Sequence, residues 1–153
     1  MSQIETRLAD LGVTLPDAPA PAANYVPYVL SGNLVYVSGQ VSQENGALVT
    51  GKLGQDMDVA RGAEAARACA ISLLAQLKAA TGGDIDRLTR VVKLVGFVNS
   101  TPDFGDQPKV INGASDFLVE ALGEKGRHAR SAVSAAALPF GVAVEIEAIF
   151  EIA

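Results

Sequence analysis

Val142-Ala143-Val144-Glu145-Ile146-Glu147-Ala148-Ile149-Phe150-Glu151-Ile152 is the stretch on which the fold turns. Val142, Val144, Ile146, Ala148, Phe150 and Ile152 hold one parity; Ala143, Glu145, Glu147, Ile149 and Glu151 hold the other. Successive side chains leave a strand on opposite faces, so this alternation predicts a strand with one apolar face. Residues 89–99 also read as a strand. Their parities are Val92, Leu94, Gly96, Val98 and Val91, Lys93, Val95, Phe97. Both are mostly apolar, which predicts cover on both faces. Residues 129–134 read as a short strand, and Leu138-Pro139-Phe140-Gly141 turns the chain into the last one.

Helical periods lie between these strands. Asp56 or Asp58 can cap a long helix running to about Ala80, with Val59, Ala63, Ala66, Ala70, Leu73, Leu74 and Leu77 on its apolar side. Thr81-Gly82-Gly83 stops it. Pro108 suits the first turn of a second helix reaching about Leu122, whose stripe is Val110, Ile111, Ala114, Phe117, Leu118 and Leu122. Upstream, residues 25–30 and 34–38 flank Ser31-Gly32-Asn33 as a hairpin, with Gly39 ending the second run. A short strand is expected near residues 47–50. Ser2-Gln3-Ile4-Glu5 reads as a capping box opening a small helix that carries Ile4, Leu8 and Leu11. Residues 13–24 contain three prolines and no period. They read as a tether crossed by few contacts, so residues 1–24 are expected to precede a main domain at 25–153.

The expected class is α+β: a mixed sheet, two long helices on one face, and a short N-terminal helix. Two helices cover only one side, and the other still carries apolar residues. Self-association is the economical way to dry it.

Composition narrows the function. A length of 153 residues fits one domain. One cysteine rules out an internal disulfide and disfavours a cysteine metal site; one histidine excludes multi-histidine sites, and any serine–histidine triad would need His128. A net charge of −5 disfavours a broad nucleic-acid face. The start lacks a long apolar run and no stretch of spanning length occurs, so a cytoplasmic protein with no membrane partner is expected.

Four polar features carry chemistry. Arg130, in His128-Ala129-Arg130-Ser131, offers a planar fork suited to a carboxylate. Glu145 sits opposite the apolar stripe of its strand, where a carboxylate can position a water. Ser38-Gly39-Gln40 follows a strand, with Tyr28 upstream, and Asn112 lies near the start of the last helix. The plainer alternative is that Arg130 and Glu145 form a structural ion pair. His128 reads as a surface-loop residue, Cys69 as a packed thiol in an alanine-rich helix, and Ser38 as a turn hydroxyl.

Ala129-Arg130-Ser131-Ala132-Val133, Ala137-Leu138-Pro139-Phe140-Gly141 and Val144-Glu145-Ile146-Glu147-Ala148 together resemble the C-terminal signature of the Rid family, also called YjgF or endoribonuclease L-PSP. Leu34-Val35-Tyr36-Val37-Ser38-Gly39-Gln40 resembles its N-terminal strand motif. The stretch from Ala79 to Lys93 resembles its helix-to-strand segment. The resemblance implies a chorismate-mutase-like fold and a homotrimer with sites in clefts between subunits. It implies hydrolysis of enamine and imine intermediates, such as 2-aminoacrylate, to a 2-keto acid and ammonia, with no metal or organic cofactor. By motif position, Arg130 would bind the substrate carboxylate and Glu145 would position water. Tyr28, Ser38 and Asn112 would line the pocket. His128 stands where the family usually has Pro or Ala, and residues 2–24 and 43–55 depart from its pattern. A non-catalytic 2-keto-acid binder is the alternative. A ribonuclease, as the older label suggests, is disfavoured by the charge and by the lack of a basic aromatic stripe.

Overall fold

The computed structural model describes residues 2–19 and 23–153. In chain order its elements are α1 (Gln3–Asp10), β1 (Tyr28–Ser31), β2 (Leu34–Val41), β3 (Gln43–Glu44), β4 (Ala47–Leu48), α2 (Val59–Ala80), β5 (Leu88–Asn99), α3 (Gln107–Leu122), β6 (Ala129–Ala135) and β7 (Val144–Ile152). Five strands form one sheet in the order β1-β2-β7-β5-β6, and β3 pairs with β4 apart from it. Neighbours run antiparallel except β5 and β6, which are parallel and joined through α3. This is the α+β architecture read from the sequence.

Capping places the helices as expected. Asp58 accepts from the Arg61 N–H at the start of α2, and Pro108 lies in the first turn of α3. The predicted stripe of α3 is buried, with Ala121 added. The two helices meet closely at Gly113, where a Cβ would fall on the backbone carbonyl of Ala63. Both helices cover the same face of the sheet. Val35, Val37, Leu94, Val98 and the stripe of β7 from Val144 to Ile152 are buried beneath them. The far face presents Tyr36, Val95, Phe97, Val133 and Ile149. Register joins them, Tyr36 lying opposite Ile149 and Phe97 opposite Val133. Tyr36 and Val133 are 44% and 45% exposed.

Four readings need correction. The register of β5 shifts between Val91 and Lys93, so Val91, not Val92, joins Leu94 under the helices; a bulge resets the alternation. Gly39 does not end β2, which passes through a bulge at Ser38–Gly39 and reaches Val41. Asn45 and Gly46, both at positive φ, turn β3 into β4, a hairpin signal passed over in the sequence. The N-terminal segment is not loosely tethered. Ile4, Leu8 and Val13 are buried in the common core, and Leu15 packs against it. The capping box forms as read. The N–H groups of Gln3 and Ile4 donate to the Asp86 carboxylate at 2.8 and 3.0 Å, and Arg7 donates to the Glu120 carbonyl. An amphipathic helix gains stability only by burying its stripe, and the nearest apolar surface is the main domain itself. Residues 20–22 of the expected tether lie outside the described residues.

Candidate functional site

Arg130 stands on the edge strand β6 opposite Leu94, and so on the helix-covered face. It is half-buried against α3. Nη1 donates to Ser115 Oγ at 3.0 Å and Nη2 to the Pro108 carbonyl at 3.3 Å. Pro108, Asn112 and Ser115 follow helical spacing, which sets exposed Asn112 on the side of α3 that Arg130 reaches. Among the described residues Arg130 forms no ion pair.

Glu145 occupies β7, with Phe97 beside it on one strand and Val41 on the other. Its neighbours Val144 and Ile146 are fully buried toward the helices, so Glu145 faces the other way. The carboxylate lies over the β2 bulge. A Cβ on Gly39 would come 2.5 Å from Glu145 Oε2, so a residue without a side chain makes room for it. Partial burial, and then the charge of Glu147, hold the Glu145 pKa above the usual carboxylate value.

The expected ion pair between Arg130 and Glu145 is therefore absent. The two point to opposite faces, and β5 lies between their strands. Tyr28 and Ser38 sit near the other edge. Tyr28 pairs with Val37 and packs partly buried against the core. Ser38 lies at the bulge within β2 rather than in a turn, and its hydroxyl donates to the Val26 carbonyl at 2.8 Å. One chain thus keeps the five predicted residues apart: Arg130 and Asn112 share the β6–α3 edge, Glu145 lies on the far face over Gly39, which follows Ser38, and Tyr28, opposite buried Val37, lies on the helix-covered side. Cys69 is fully buried against the Val144 carbonyl, and burial pushes its thiol pKa well up, as suits a packed residue. A cavity of about 810 Å³ opens elsewhere, between Val13, the β3–β4 hairpin and α2, and contains none of the five.

Sequence reasoning missed two residues here. Ser115 bonds both Arg130 and the ring of His128, and His128 is no free loop residue, since both its ring nitrogens are engaged. The helical spacing of Pro108, Asn112 and Ser115 was the available signal for Ser115.

A mixed sheet of this order with helices on one face only defines the α+β class of the protein. The chain belongs to the YjgF family, matching over residues 5–150 the description "YjgF/chorismate_mutase-like, putative endoribonuclease". It is 51% identical to Protein TCP17 of Trypanosoma cruzi over 152 residues, covering 98% of this chain and 94% of that one. A crystal structure of the Agrobacterium tumefaciens protein Atu1372, described as of unknown function, is 55% identical with a TM-score of 0.93, over 99% of this chain and 93% of that one. A Shewanella oneidensis structure described as a "putative endoribonuclease" is 34% identical, also with a TM-score of 0.93, over 99% and 100% of the two chains.

Proposed function

We propose that this protein hydrolyses reactive enamine and imine intermediates derived from amino acids to 2-keto acids and ammonia. The observation that carries the reading is the state of Arg130: a half-buried guanidinium whose described partners are two neutral oxygens and no carboxylate. A fork left without its counter-charge at a sheet edge suits a substrate carboxylate. Glu145, partly desolvated and with its pKa raised by burial and then by the charge of Glu147, suits in its charged form the placing of a water beside the imine carbon. That water adds to the C=N carbon, the nitrogen takes up a proton, and ammonia leaves as the carbonyl forms. An iminium carbon is already electrophilic, so positioning supplies most of what is needed, with no metal or organic cofactor.

The separation of Arg130 from Glu145 within one chain supports sites built between copies. The apolar far face supports the same reading, and a homotrimer is the assembly proposed. The separation also favours a second reading, in which a site that lacks the partner's glutamate binds 2-keto acids without turnover. Ribonuclease activity, which the Shewanella description names, fits poorly with a net charge of −5.

Ammonia release from freshly generated 2-aminoacrylate, corrected for the uncatalysed rate, tests the proposal beside calorimetry with pyruvate. Arg130→Lys keeps the charge but loses the fork, and should cost about 2–5 kcal/mol in pyruvate binding. Glu145→Gln should spare pyruvate binding and slow turnover about a hundredfold or more, the lower end of what general acid–base help contributes. Pyruvate binding without any acceleration by the wild type would leave only the binding-protein reading.

A further inference from the structure

We propose that Ser115 and His128 are positioning residues for Arg130, forming a one-way hydrogen-bond relay that holds its guanidinium in place. The inference rests on the reading of Arg130 as the carboxylate-binding group. Its direction follows from what each atom can do. His128 Nδ1 lies 2.6 Å from the Gly126 carbonyl, which can only accept, so Nδ1 carries the ring proton. In the neutral ring Nε2 is then the acceptor. It lies 2.9 Å from Ser115 Oγ, so the serine hydroxyl donates toward the imidazole. The oxygen's lone pairs face away from that proton, and Arg130 Nη1, which can only donate, lies 3.0 Å from it. With the neutral imidazole the relay therefore runs from Arg130 to Ser115 to His128 to Gly126.

The anchor at its end is firm. Gly126 is buried and pressed against α3, where a Cβ would land on the Leu118 carbonyl. Ser115 is carried by that same helix, and the second contact of Arg130 is Pro108 in its first turn. Both holds on the guanidinium thus come from one rigid element, and neither brings a negative charge. Neutral acceptors orient the fork without satisfying its charge, so its remaining N–H groups stay available to an anion. A carboxylate in the place of Ser115 would compete with the substrate. Lys at 130 ends in a single rotatable nitrogen and has no planar fork for these contacts to orient.

Two measurements on the full-length protein test this. The first needs no ligand: side-chain ¹⁵N–¹H spectra of the Arg130 guanidinium. In the wild type its Nη protons should be resolved and slow to exchange. In Ser115→Ala and in His128→Ala they should merge toward the solvent-averaged signal. His128→Gln returns an uncharged side-chain oxygen to the acceptor position and should restore them. His128 precedes β6 and lies outside any helix, so its variants serve if Ser115→Ala disturbs α3. The second measurement is pyruvate affinity. Ser115→Ala and His128→Ala should each weaken it about tenfold, the usual scale for one hydrogen bond to a charged group. His128→Gln should stay near the wild type. In an Arg130→Lys background Ser115→Ala should add almost nothing, since it acts through the lost fork. Unchanged guanidinium spectra in both alanine variants would overturn the relay. So would a full tenfold loss from Ser115→Ala on top of Arg130→Lys. If the spectra respond but the wild type never binds pyruvate, the relay stands and the carboxylate reading falls.

Discussion

Glu145 lies over bare backbone at Gly39, half-removed from water and near the charge of Glu147. Its raised pKa acts with opposite signs on stability and on turnover. A carboxyl that binds its proton more tightly when folded costs nothing below its unfolded pKa. The cost grows as pH rises and is complete above the folded pKa. At neutral pH Glu145→Gln should therefore melt no lower than the wild type, even while turnover falls. For turnover the charged form is the useful one. The rate should drop on the acid side at a pH above the ordinary carboxylate range of about 4. Glu147→Gln removes the second cause of the shift and should move that limb to lower pH; Glu145→Gln should abolish it. A kcat profile of the three proteins against pH checks this, and an acid limb unmoved in Glu145→Gln would assign it to another group. Gly39→Ala belongs to the same argument. Its methyl would displace the Glu145 carboxylate, so it should slow turnover while leaving pyruvate affinity near that of the wild type.

At the scale of elements, α1 is held by its own buried stripe and by polar clasps at both ends. Ile4 and Leu8 retain 6% and 2% of their exposure, so the helix shares the core rather than trailing from it. Leu8→Ala should cost about 3 kcal/mol in urea unfolding, the usual range for emptying a buried leucine site. The clasps depend on pH. A hydrogen bond with Lys78 lowers the Glu5 pKa. Desolvation acts to raise that of Asp86, but the N–H donors of Ile4 and Gln3 outweigh it and the net shift is downward. Groups with lowered folded pKa values contribute stability above their unfolded values and lose it as pH falls through the folded ones. Amides of α1 should therefore lose hydrogen-exchange protection below about pH 4, ahead of those in β5 and β7. The contact between α2 and α3 makes a second test of packing. Gly113→Ala would push a methyl into the Ala63 carbonyl, where no flexible side chain can yield. A loss of about 2 kcal/mol or more is expected by the same unfolding measurement.

The whole molecule has one dry side and one unfinished side. The helices close the first; the second keeps Tyr36, Val95, Phe97, Val133 and Ile149 in a connected patch. The proposed trimer would bury it and would bring an Arg130 edge and a Glu145 face from different copies within reach of one another. Light scattering at micromolar concentration should then give about three times the 15.8 kDa of one chain. Ile149→Lys and Val95→Lys should shift the protein toward monomer, because a buried unpaired ammonium repeated in each copy is costly. If the sites span copies, turnover should fall in step with assembly. A fully active monomer would sink the shared-site reading.

Local patterns already carried the element order, the cap at Ser2, a cap for α2 at Asp56 or Asp58, and the stripe of α3, because periodicity and capping are short-range chemistry written in adjacent residues. The same is true of the residue types singled out: Arg130 and Glu145 stand out by type and parity alone. Tertiary structure decided what they face. The bulges in β2 and β5 reset side-chain parity through hydrogen bonds to partner strands far away in sequence, so no local alternation could announce them. Strand order placed β5 between Arg130 and Glu145 and so removed the ion pair that their chemistry invited. The relay from Arg130 through Ser115 to His128 joins a helix to a strand entry. Only the packing of α3 on β6 brings those three side chains within hydrogen-bond reach, which is why a lone histidine read as an idle loop residue. Docking of α1 likewise depended on a surface its own residues do not describe: prolines around residue 16 suggested a free tether, and the buried faces of Ile4 and Leu8 met the main core instead.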